Sequence, residues 1–327
     1  MSNLLSRYAD AIFWMARYVE RAEDLARVLD VTETFSRDSR GGQNWRSILR
    51  LYDDAPKFFR EHNEATAAAV IRFYTLDDRN GSSILSNLGM ARSNARTLRP
   101  LISTEMWTQL NIFYNRLRAL GPQEIAEPRL ARFCSMIKEG CQTHTGITEG
   151  TFYRDEGWCF YQLGKQLERA DQTTRQLDSR YHNVPSSADE VGSQVDVSRW
   201  NALLRSAAGY HAFRKIHPRG MTPADVAGFM LFHEGFPRSV AACVDEVGER
   251  LTRLRSVYNV PGATAAMGRL DDLRGLLDTD VDGVIEFGLH EYLDRVQQYL
   301  NALSIEIGRD LLGHAPASAS GHGPDPK

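Results

Sequence analysis

A motif that occurs twice limits what this chain can fold into. The run Glu20-Arg21-Ala22-Glu23, continued by Arg27, Leu29 and Asp30, returns 148 residues later as Glu168-Arg169-Ala170-Asp171, continued by Arg175, Leu177 and Asp178. The first copy lies in a stretch, residues 4–37, that reads as one long amphipathic helix. At about 100° per residue, Ile12, Met15, Ala16, Val19 and Ala26 fall on one stripe, widened by Ala22 and Leu29. Glu23 and Asp30 lie in or beside that stripe, and Glu20 and Arg27 flank it. On this wheel Arg17, Arg21 and Asp24 point away from the core. The charges of the motif therefore form an edge along the core face.

The flanks of the two copies correspond as well. Trp200, Leu203, Leu204 and Arg205 answer Trp45, Ile48, Leu49 and Arg50, and residues 229–255 answer 73–99 without a gap. The second copy of the opening helix is expected over residues 152–182. Helices are also expected over 45–59 (with Pro56 kinking or restarting the helix), 66–74, 83–98, 104–120, 130–150 and 285–312, the last unbroken. Residues 258–283 are extra in the second half. Alternating strand patterns are nearly absent. The expected fold is all-α: a helical bundle built from a tandem-duplicated, pseudo-twofold unit, its two motif helices meeting near the axis. The helical domain is placed at 1–312, with halves of 1–148 and 149–312, a linker at 183–197, a turn at 39–43 and a disordered tail at 313–327.

Composition narrows the functional classes. The formal net charge of −3 carries no nucleic-acid footprint. No apolar run is long enough for a membrane span, and no signal peptide is expected, which suits a cytoplasmic protein. Cys134, Cys141, Cys159 and Cys243 form no C-x-x-C pair and read as small buried side chains. There is no Walker A loop, no G-x-S-x-G and no H-E-x-x-H, so nothing nominates a nucleophile.

The candidate chemistry lies in the motif edges. Glu20, Glu23, Arg27 and Asp30 align on one helix edge, as do Glu168, Asp171, Arg175 and Asp178. Two readings stay open: a carboxylate–guanidinium network joining two helices, or a catalytic or ligand site using paired carboxylates. A di-iron site would require a Glu-x-x-His that both copies lack, so no metal site is nominated and no cofactor is evident, although magnesium held by carboxylates stays open. Arg154, Asp155 and Trp158, just before the second copy, are substrate-binding candidates at the mouth of a cleft, or else helix-entry residues. Arg238, in the cap region of the later helix, joins them as a substrate-binding candidate.

Several of these segments resemble the Alpha-E proteins, a bacterial family. They are Leu5-Ser6-Arg7 with Trp14-Met15-Ala16-Arg17-Tyr18-Val19-Glu20-Arg21-Ala22-Glu23, residues 83–99, Trp107-Thr108-Gln109-Leu110-Asn111, Arg154-Asp155-Glu156-Gly157-Trp158 leading to Glu168-Arg169-Ala170-Asp171, and Phe236-Pro237-Arg238-Ser239-Val240. The resemblance covers about residues 3–312. It implies an all-helical protein whose partners are a circularly permuted ATP-grasp ligase-like protein and a transglutaminase-like protease. On that basis the expected role is an accessory subunit of an amide (peptide) ligase system. An enzyme acting on a peptide, amino acid or phosphorylated intermediate through the Glu/Asp/Arg cluster is the alternative, and a structural scaffold the third. The resemblance carries over no catalytic residues.

Overall fold

The computed structural model describes residues 4–38, 45–181 and 194–314. The expected turn at 39–43, most of the linker and residues 315–327 of the expected tail lie outside the described residues. Among the described residues every regular element is helical. The first half contributes α1 (Ser6–Asp38), α2 (Arg46–Leu51), α3 (Ala55–Phe58), α4 (Ala67–Thr75), α5 (Ile84–Thr97), α6 (Thr104–Arg118) and α7 (Glu127–Thr151). The second contributes α8 (Glu156–Tyr181), α9 (Gln194–Ser206), α10 (Tyr210–Ile216), α11 (Pro223–Phe232), α12 (Val240–Ser256), α13 (Ala263–Leu277), α14 (Val281–Phe287) and α15 (Leu289–Leu311).

The helix starts follow local chemistry. Ser83, Ser103 and Ser239 each accept a hydrogen bond from the backbone N–H three residues on, capping α5, α6 and α12. Thr222 and Asp225 form a reciprocal capping box on α11. The stretch at 45–59 divides into α2 and α3, with Pro56 in the first turn of α3 and Asp53 at φ 53° in the break. The expected single helix over 285–312 is also two. Gly288 sits at φ 105° between α14 and α15, a conformation that favours glycine and halts the helix. The second motif helix begins at Glu156 rather than 152 because Asp155 caps it, its Oδ1 accepting from the N–H groups of Gly157 and Trp158. Helix α9 starts at Gln194, within the stretch read as linker.

The two motif helices, α1 and α8, make the most extensive helix–helix contact among the described residues. Helices α5, α7 and α9 also pack on α1, while α12 and α15 pack on α8. The approach of α1 to α8 is so close that a methyl group on Gly164 would overlap the carbonyl oxygen of Phe13. Trp45 and Trp200 are both buried in the core. His314, beyond α15, folds back to place its Nε2 2.8 Å from Asp10 Oδ1.

Candidate functional site

The contact between α1 and α8 is polar at its centre. Glu168 is fully buried and receives four hydrogen bonds. Arg21 donates from Nε to Oε1 at 2.7 Å and from Nη2 to Oε2 at 2.8 Å, a two-pronged contact. Arg17 donates from Nε at 2.8 Å and Gln172 from Nε2 at 2.9 Å. Burial pushes the Glu168 carboxyl up, but the Arg21 and Arg17 guanidinia outweigh it and hold the group far below the usual carboxylate range.

The other copy of the motif is paired in the reverse sense. Arg169 donates from Nε to Glu20 Oε1 at 2.6 Å. Arg238, entering from the start of α12, reaches the same oxygen at 2.9 Å and donates to Asp24 Oδ1 at 2.6 Å. Burial again opposes ionisation of Glu20, yet Arg169 and Arg238 hold its carboxyl down at about 2. Asp24 behaves differently. Burial pushes it up to about 7, against the pull of Arg238 and with the help of the neighbouring Glu20 and Glu23 carboxylates. Its Oδ2 is buried without a hydrogen-bond partner. Three carboxylates divide Arg238, and Asp24 has no second guanidinium of its own.

The rest of each motif edge takes separate partners. Arg27 closes on Glu23 at 2.6 Å and Arg175 on Asp171 at 2.8 Å, both across one helical turn. Asp30 pairs with Lys138 of α7 at 2.6 Å, and Asp178 with His290 Nδ1 of α15 at 2.7 Å. The aligned edges therefore do not converge on one point. Glu20, Glu23, Glu168 and Arg238 share the buried interior, while Asp30 and Asp178 turn to α7 and α15.

Arg17, Arg21 and Asp24, expected to face outward, are part of the network, and Asp24 is only 1% exposed. The single-helix wheel assumes one dry face, whereas α1 is enclosed by several helices. Arg169 was also outside the expected set. Its signal was present, because Glu and Arg are adjacent in both copies. Arg154, Asp155 and Trp158 form the corner between α7 and α8. The Arg154 guanidinium lies over the Trp158 ring, 3.4 Å from its centroid, and donates to the Glu149 backbone oxygen. Asp155 caps α8.

Two clefts border the network. One, of about 680 Å³, opens between α1, α8 and α15, and its lining includes Trp14, Arg17, Arg21, Asp171, Arg175 and Asp294. The other, of about 760 Å³, opens between α1, α7, α9 and α10 and includes Asp30, Lys138, Arg205 and His211. Among the described residues, Asp178, His290 and Asp294 bring three ligand atoms within 4.8 Å of one another, a set that could hold a divalent cation. The imidazole now joins the two carboxylates, Nδ1 to Asp178 and Nε2 to Asp294, so metal binding would require it to give up one of those contacts. His290 carries no motif signal in the sequence; only the packing of α15 on α8 reveals it.

These pairs also show what decides the chain's kinship. The Alpha-E family is described as a predicted alpha-helical domain with a conserved ER motif, and its sequence model matches residues 4–312. The chain belongs to the Alpha-E family. In this Alpha-E protein the Glu-Arg pairs 20–21 and 168–169, together with Arg17, cross-link α1 and α8. It is similar to an uncharacterized protein of Mycobacterium bovis, 28% identical over 285 residues, covering 80% of this chain and 30% of that one. An uncharacterized protein of Mycobacterium tuberculosis is 27% identical over the same length and share. The chain thus spans about a third of the length of these relatives. No solved structure matches it. No helix among the described residues is long and apolar enough to cross a membrane.

Proposed function

We propose that this Alpha-E chain is a helical partner subunit of an ATP-grasp-type amide ligase system and does not complete a reaction by itself. The observation that carries this reading is the state of the motif carboxylates. Glu20 and Glu168 are buried, ionised and held by two guanidinia each, and neither lines the two clefts, so neither has a proton to give to a ligand there. The cysteine thiols are equally withdrawn from chemistry. All four cysteines are buried, and burial pushes each thiol up, away from the reactive thiolate. The relatives add support of another kind, since their matching segment is joined to a longer stretch of other sequence. A unit that occurs fused to further chain is suited to working against a partner. The ligase itself enters through the family resemblance.

The test is reconstitution. The chain is purified alone and together with an ATP-grasp ligase-like protein from the same genome, and both samples are assayed for complex formation and ATP-dependent amide formation. The proposal expects no turnover by the chain alone, and a stable complex in which the ligase is active or stimulated. Turnover by the isolated chain, or a ligase indifferent to its presence, would overturn it.

A further inference from the structure

The cleft between α1, α8 and α15 has a charge arrangement that the buried network does not require. Arg17, Arg21 and Arg175 line it, as do the carboxylates of Asp171 and Asp294, and Glu168 lies behind Arg17 and Arg21. Three cations thus meet three anions, and the wall as a whole is neutral. The charges are nonetheless carried by different helices, Arg175 on α8 and Asp294 on α15. Arg175 donates its Nε to Asp171, and among the described residues its two terminal nitrogens have no hydrogen-bond partner. Asp294, on α15, is half exposed, and its nearest ion-pair contact is His290 at 3.7 Å. Trp14, Leu300 and Ile305 line the same cleft and supply apolar surface.

We infer that this cleft binds a small zwitterion, an amino acid or a short peptide with free termini, with its carboxylate on the Arg175 guanidinium and its ammonium on Asp294. A phosphate or other dianion would leave the carboxylates of Asp171 and Asp294 facing negative charge. A ligand with one charge of each sign has a complementary partner on each of the two helices and leaves the cleft neutral. Guanidinium–carboxylate contacts of this kind are directional and charge-assisted. The volume of about 680 Å³ suits a ligand of dipeptide size. The surrounding amides of Gln297, Gln298 and Asn301 add neutral donors and acceptors for the peptide bond. The inference concerns the isolated chain and does not depend on the ligase partnership, so the two can fail separately.

The experiment follows the indole N–H signal of Trp14 by NMR in the full chain, assigned by its loss in Trp14→Phe. The probes are a random mixture of dipeptides with free termini, the same mixture N-acetylated, the mixture C-amidated, and inorganic phosphate. The free mixture is expected to shift the signal saturably, and each blocked mixture to bind at least about tenfold more weakly. Arg175→Ala and Asp294→Asn are expected to weaken the free mixture by about the same factor while leaving thermal unfolding nearly unchanged. No shift at millimolar dipeptide, equal binding of the blocked mixtures or of phosphate, or wild-type binding by Asp294→Asn would overturn the assignment. Asp294 is exposed, so its variant keeps the test decisive if Arg175→Ala perturbs folding.

Discussion

Arg21 holds both carboxylate oxygens of Glu168, while the residue preceding Arg21, Glu20, is held by Arg169, the residue following Glu168. Each Glu-Arg pair thus gives its acid to the other helix's base and its base to the other helix's acid. Adjacent Glu and Arg point about 100° apart on one helix. Two helices can exchange both charges only when they pass at very short range, and the Gly164–Phe13 approach supplies that range.

Removing the charge at the centre should be costly. In Glu168→Gln, Arg17 and Arg21 lose the carboxylate that neutralises them within a buried interface. Breaking one partner of such a pair costs about 3–5 kcal/mol. Urea unfolding of the variant should show a loss of that size.

Glycines should respond in opposite directions according to what surrounds them. Gly164→Ala forces a methyl group into the Phe13 carbonyl and pushes α1 from α8, a loss of about 1–3 kcal/mol. Gly146→Ala, at an exposed position of α7 with nothing within 4 Å, should stabilise by about 0.5–1 kcal/mol through helix propensity alone. Thermal unfolding of the pair decides both signs.

The network sets an opposing pH dependence. Glu20, held down at about 2, contributes stability that is present above its ordinary carboxylate value and is lost as pH falls toward 2. Glu168 acts in the same direction. Asp24, pushed up to about 7 by burial, contributes stability that is present below its ordinary value and is lost as pH rises through 7. Unfolding temperature measured across pH should therefore peak on the acid side of neutrality. Asp24→Asn should flatten the decline toward neutral pH and leave the acid limb in place.

His290 should titrate above an ordinary histidine. Its hydrogen bond to Asp178 favours the imidazolium, helped by the charges of Asp178 and Asp294 and opposed by partial burial. Its stabilising contribution is present below the ordinary histidine value and is lost as pH rises through the raised one. NMR titration should show that displacement, and Asp178→Asn should bring the value back down.

Much of the fold is legible in the sequence because its helices announce themselves. The cap regions at Ser83 and Ser239, the helical spacing around Trp107 and the Glu-Arg-Ala recurrence each rest on local chemistry. What escapes is set by neighbours. The halt at Gly288 comes from a left-handed backbone conformation, whereas glycine within a periodic run reads as helix. Arg21 and Asp24 look solvated on the wheel of α1 because a wheel records one helix and not the helices around it. The candidate site is half visible for the same reason: the alignment of the motif picks out Glu20, Glu23 and Glu168, whereas Arg17 and His290 become partners only across helices.

The central claim is that the two Glu-Arg pairs hold α1 and α8 by exchanging charges. A double-mutant cycle on Glu20 and Arg169 tests it most directly, using Glu20→Gln, Arg169→Gln and the double variant, each unfolded in urea. The account predicts that the double variant loses less stability than the two single variants together, with a coupling of about 1–3 kcal/mol. Single losses that simply add would contradict it.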